Sequence, residues 1–116
     1  MVTKFMNALR GIFIYFFKDV SSYYHIGIYI FYCILTTVLN EAVKPTTILL
    51  IGIVIAFEWV NTLIEKTIDY ISTERNNFAR DIKDLSAGVV LFVSIIVYGF
   101  MFIPIILKLV DMYTRI

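Results

Sequence analysis

Two uncharged stretches constrain the fold of this chain more than any other feature. Val20 to Asn40 runs for 21 residues, and Leu85 to Leu107 for 23, without one Asp, Glu, Lys or Arg. As helices rising about 1.5 Å per residue, each is long enough to cross a hydrocarbon core of about 30 Å. A third apolar run, Thr46 to about Ile71, crosses only if it tolerates Glu58, Glu65 and Asp69. With 116 residues, 60% of them hydrophobic, and a mean hydropathy of +0.87, the chain carries more apolar surface than one water-soluble core can hide.

The expected architecture is therefore a single all-α integral membrane domain over residues 1–116, with spans at about 20–40, 46–71 and 85–107. Glu41 to Pro45 (EAVKP) reads as a tight hairpin, with Pro45 in the first turn of the second span. Residues 72–84 (STERNNFARDIKD) read as a polar cytosolic connection, in part helical. The segment before the first span is different: Phe5, Met6, Leu9, Ile12, Phe13, Phe16 and Phe17 share one helical face, with Lys4, Asn7, Gly11 and Lys18 largely opposite. That pattern predicts an amphipathic surface helix over 3–18, and no small-residue cleavage site follows it to suggest a signal peptide. Lys4, Arg10, Lys18, Lys66, Arg75, Arg80 and Lys83 fall on one side of the spans, against Lys44, Lys108 and Arg115 on the other, so the N-terminus is expected in the cytoplasm.

A formal charge of +1 gives no reason to expect a nucleic-acid partner, and the lone Cys33 excludes an internal disulfide or a cysteine metal cluster. Gly27, Gly52, Gly88 and Gly99 are expected to let helices approach closely. Eight Tyr and Trp59 suit interfacial belts, and His25 an interfacial hydrogen bond. No GxxxxGK[ST] phosphate loop is present.

The chemistry is expected in FEWVNTLIEKTID, Phe57 to Asp69. At about 100° per residue, Glu58, Asn61, Thr62, Glu65 and Asp69 share an arc of about 100°, and the ladder from Glu58 to Asp69 climbs about 16 Å. A carboxylate at bilayer depth costs about 2.5–3.5 kcal/mol even on the lenient scale, so several on one face imply a partner, a proton, a metal or a water-filled groove. A structural polar seam between helices is the plain alternative. Hard oxygen donors without histidine or thiolate clusters favour magnesium, which usually arrives with phosphate. Lys83 and Asp84 stand at the same membrane boundary, where the plain reading is a positive-inside anchor with Asp84 capping the helix. Carboxylates, magnesium and a lysine at an interface are the parts that phosphoryl transfer requires. A proton or cation path through a small oligomeric transporter or channel uses the same acids.

FEWVNTLIEKTIDYIS followed by ARDIKDLSAGVVL resembles the signature region of the prokaryotic diacylglycerol kinase family, which includes the undecaprenol kinases. The shared pattern is Glu58, Asn61-Thr62, Ile64-Glu65, Asp69 and, fourteen residues on, Lys83-Asp84; NALRGI at Asn7–Ile12 and GFMFIPIIL near the C-terminus extend it. The resemblance implies a homotrimer of three-span protomers in the bacterial cytoplasmic membrane, transferring the γ-phosphoryl group of MgATP to a lipid hydroxyl, of diacylglycerol or of undecaprenol. By position, Glu58 would be the general base and Asn61 would help to position that end of the site. Glu65 would hold the metal, with Asp19 as the second metal-side carboxylate. Asp69, Glu74, Lys83 and Asp84 would serve the nucleotide, with Asp84 as partner of Lys83. One stretch departs: where many members have Glu-x-Asn-Phe-Arg-x-His, this chain has DVSSYYH, Asp19 to His25, with a shorter acid, Ser21 for Asn and Tyr23 for Arg. Arg75-Asn76 also replaces a common aromatic–His pair. These departures leave an inactive relative serving as a scaffold among the readings.

Overall fold

The computed structural model describes residues 1–72 and 76–116. The described residues fold into four helices, α1 (Val2–Lys18), α2 (Ser21–Val38), α3 (Pro45–Ile71) and α4 (Asn77–Thr114), with no strand among them. Of these, α3 and α4 are long and apolar enough to cross a membrane. The 18 residues of α2 are uncharged but include Ser21, Ser22, His25 and four tyrosines, which dilute its hydropathy.

Local sequence explains each boundary. Asp19 leaves α1 in an extended conformation, and its Oδ1 accepts the Ser21 amide at 3.0 Å and the Ser21 hydroxyl at 2.7 Å, so one carboxylate ends a helix and starts the next. Asn40 turns α2 into the hairpin at φ 58°, a left-handed conformation that Asn tolerates better than most residues. Lys108 of α4 closes that turn, donating to the Leu39 carbonyl at 2.9 Å and to Glu41 at 2.5 Å. Pro45 occupies the first turn of α3, where its missing N–H costs nothing.

The helical part of the connection over 72–84 begins at Asn77. Asn76 caps α4 by accepting the Ala79 amide at 2.7 Å, so Asn77 to Asp84 is helix, and Arg80 and Asp84 pair across one turn at 3.8 Å. Hydropathy marks where a helix leaves lipid, not where it ends. The 38 residues of α4 rise about 57 Å, far more than a bilayer core, and continue through Pro104.

The helices make a slab of 59 × 41 × 19 Å in which α3 packs chiefly on α4 and secondarily on α2. Its small core is Tyr32, Val54, Val97, Met101 and Ile105. Phe57, Val60, Leu63, Phe92, Ile95, Ile96 and many other large apolar side chains stay exposed, as lipid or a partner would require. Gly27, Gly52 and Gly88 do not serve close helix approach within one chain, because a Cβ there would meet nothing within 4 Å.

The surface helix shows the apolar face read from the sequence: Phe5, Met6, Leu9, Ile12, Phe13 and Phe17 are all exposed. Its other side docks. Gly11 faces the Trp59 ring, with 3.9 Å left for a Cβ, and Tyr15 stacks on Trp59 with centroids 5.0 Å apart at 14°. This contact brings the end of α1, and Asp19 with it, to the middle of α3.

Candidate functional site

Exposure rises along the polar face of α3. Asn61 is buried, Glu58, Thr62 and Glu65 are half-buried, and Asp69 is exposed. The lower part lies against protein; the upper end reaches the surface.

At the lower end, Glu58 meets a side chain from α2, which in turn meets one from α4. Its Oε2 lies 3.4 Å from His25 Nε2 of α2, and His25 Nδ1 lies 2.6 Å from the Tyr98 hydroxyl of α4. The Glu58 and His25 side chains are only 17% and 11% exposed. One turn up, the Asn61 amide donates to Glu65 Oε1 at 3.2 Å. That leaves Asn61 Oδ1 buried, with no partner among the described residues. The Tyr15 hydroxyl, 2% exposed as a residue, is orphaned in the same way. Burial pushes the Tyr15 hydroxyl above its ordinary range, Ser21 counters this, and the charges of Glu58 and Asp19 push it further up.

Asp19 joins this end of the site. Burial acts to raise its pKa, but bonds from Ser21 and Thr62 and the nearby charge of Lys66 outweigh that and hold it below the ordinary value. Its Oδ1 is committed to Ser21, which is the local use of the Ser in DVSSYYH.

At the upper end Lys83 reaches across from α4 and donates to Asp69 Oδ1. The expected Lys83–Asp84 partnership is replaced by two others, Lys83 with Asp69 and Asp84 with Arg80. Successive helix residues point about 100° apart and do not face each other. Asp84 stands instead with Asp81 on an open groove floored by Leu85, Gly88, Val89 and Phe92. Glu74 lies outside the described residues.

Glu58 and Glu65 are seven residues and about 10 Å apart along α3, too far to share an ion. Among the described residues no three acidic, histidine or cysteine side chains form a metal-holding group. Magnesium does not need one: it commonly takes one or two carboxylates and fills its sphere with water and phosphate. The buried Asn61 Oδ1 beside Glu65 has no hydrogen-bond partner among the described residues, and as a hard oxygen donor it suits such an ion. The donor set fits.

Sequence reasoning singled out the acids and Lys83 but not the side chains that hold them. Tyr98 is a polar group inside an uncharged run, and Tyr15 is a hydroxyl on an apolar helix. Those were the only signals, and both read equally well as belt tyrosines. His25 was read as an interfacial hydrogen bonder; it is buried against Glu58.

The model of one family, described as prokaryotic diacylglycerol kinase, matches residues 6–105 of the chain. No curated protein and no solved structure matches it.

Proposed function

The chain belongs to the prokaryotic diacylglycerol kinase family, a family of membrane lipid kinases, and from that premise we propose that it transfers the γ-phosphoryl group of MgATP to the hydroxyl of diacylglycerol or undecaprenol. The observation that carries the reading is the gradient along α3, from a half-buried Glu58 held by protein to an exposed Asp69 beside Lys83. Such a face offers a base at membrane depth and a charged nucleotide platform at its surface.

In this reading Glu58 takes the proton from the acceptor hydroxyl as its oxygen attacks, a role that suits a carboxylate with one oxygen engaged and one free. Asn61 orients the Glu65 carboxylate through its amide. Glu65 and Asn61 Oδ1, with the second oxygen of Asp19, would hold a magnesium ion, which when bound would neutralise phosphate charge. Lys83 leaves Asp69 for the phosphates, a cheap exchange because an exposed ion pair contributes at most about 1 kcal/mol. Asp69, Glu74 and Asp84 orient the nucleotide. The exposed apolar face of a slab only 19 Å thick supports assembly, and we propose the homotrimer, with α2 as a third span and the N-terminus in the cytoplasm of a bacterial inner membrane.

The test is a γ-labelled ATP assay in lipid micelles with magnesium, with diacylglycerol and undecaprenol run side by side. One lipid acquires label with the parent protein. Glu58→Gln and Glu65→Gln each lower that rate by about a hundredfold or more, as expected for loss of a general base or metal ligand. Parent-like turnover in both folded variants would sink the assignment.

A further inference from the structure

With Glu58 ionised and the imidazole neutral, the His25 contacts take one proton arrangement. An ionised carboxylate only accepts, so the ring nitrogen facing Glu58, Nε2, carries a proton. In a neutral imidazole Nδ1 is then the acceptor, and the hydroxyl 2.6 Å away on Tyr98 donates to it. The bonds run in one direction across three helices, from Tyr98 on α4 through His25 on α2 to Glu58 Oε2 on α3. The His25 and Tyr98 rings also lie near parallel, 17° apart in plane.

We propose that His25 and Tyr98 are positioning residues for Glu58. Tyr98 locks the His25 tautomer, and His25 Nε2–H fixes Glu58 Oε2, so that Oε1 faces the acceptor hydroxyl. The proton taken from that hydroxyl goes to Oε1; the imidazole keeps its own. A carboxylate on a glutamate side chain otherwise turns about a soft terminal torsion, and a half-buried base that turns away from its target loses its geometry. The inference rests on the lipid-kinase reading for what Glu58 does, but the tautomer stands independently of activity.

His25 is the only histidine in the chain, so a sample labelled with 15N-histidine reports one ring. In lipid nanodiscs at neutral pH the parent protein is expected to show the proton on Nε2, and Tyr98→Phe a mixture of the two tautomers. In the phosphorylation assay Tyr98→Phe and His25→Ala each lower kcat about ten- to a hundredfold. The KM for MgATP stays within about twofold. His25→Gln, whose side-chain amide can stand for Nε2–H, recovers part of the loss. A parent ring protonated on Nδ1, or a Tyr98→Phe protein with parent-like spectrum and kcat, overturns the proposal. If the parent labels neither lipid, the kinase reading fails while the nitrogen spectrum still decides the tautomer.

Discussion

The buried Tyr15 hydroxyl allows a prediction that runs against the usual expectation for a core substitution. Tyr15→Phe keeps the ring stacked on Trp59 and deletes a polar atom that has no partner among the described residues. A buried, unsatisfied polar group costs about 1–3 kcal/mol. The Ser21 hydroxyl lies near enough to offset part of that cost, which puts Tyr15 at the low end of that range. The variant should therefore hold α1 against α3 about 1 kcal/mol more tightly, about a fivefold shift in the docking equilibrium. Tyr15→Leu removes the hydroxyl and the stack together. An aromatic pair contributes about 0.5–1.5 kcal/mol beyond its area, so the leucine variant should fall back to near the parent. Amide hydrogen exchange along α1 in nanodiscs, without substrates, measures both. The expected order of protection is phenylalanine above parent, with leucine close to parent. Faster exchange in Tyr15→Phe than in the parent would show that the hydroxyl is a stabilising donor, and the reasoning would be refuted.

Three further outcomes follow from the other contacts. Asp19→Ala should loosen the turn between α1 and α2 by about 1 kcal/mol while Asp19→Asn largely keeps it, since either Asp or Asn can accept the Ser21 amide; exchange at Ser21 distinguishes them. Lys83→Met should raise the KM for MgATP about tenfold and barely move the unfolding midpoint, because Asp69 is mostly exposed and Lys83 partly so; a large loss of stability would contradict this. The hydrogen bond and charge of Lys108 hold the Glu41 carboxyl below its usual 4.5, so that contribution to the hairpin is present above about pH 4.5 and is lost as pH falls through the lowered value. Lys108→Met should abolish this acid dependence of hairpin exchange and leave phosphorylation unchanged.

The helical periodicities of α1 and α3 were legible because each has one face of a different polarity, and the Glu58–Asp69 ladder was legible because charge is conspicuous in an apolar run. The exact start of α4, inside a connection expected to be only partly helical, was not. Arg80, Asp81, Lys83 and Asp84 look like loop to a hydropathy count, yet they are compatible with helix once Asn76 supplies the cap. The partners of the acids were hidden for a different reason. His25, Glu58 and Tyr98 are 33 and 40 residues apart in order along the chain, so only the packing of α2, α3 and α4 brings them together. Lys83 was expected to pair with its neighbour Asp84 and instead pairs with Asp69, fourteen residues away, since adjacency in sequence is not adjacency on a helix.

On the proposed lipid-kinase reading, the increasing exposure along α3 would also separate the two reactants by the medium from which each arrives. An oily acceptor would slide sideways out of the bilayer toward Glu58 while a water-borne donor would settle from above onto Asp69 and Lys83. Neither has to cross the other's doorway, and the phosphorylated product can drift back into its own leaflet without ever leaving the membrane.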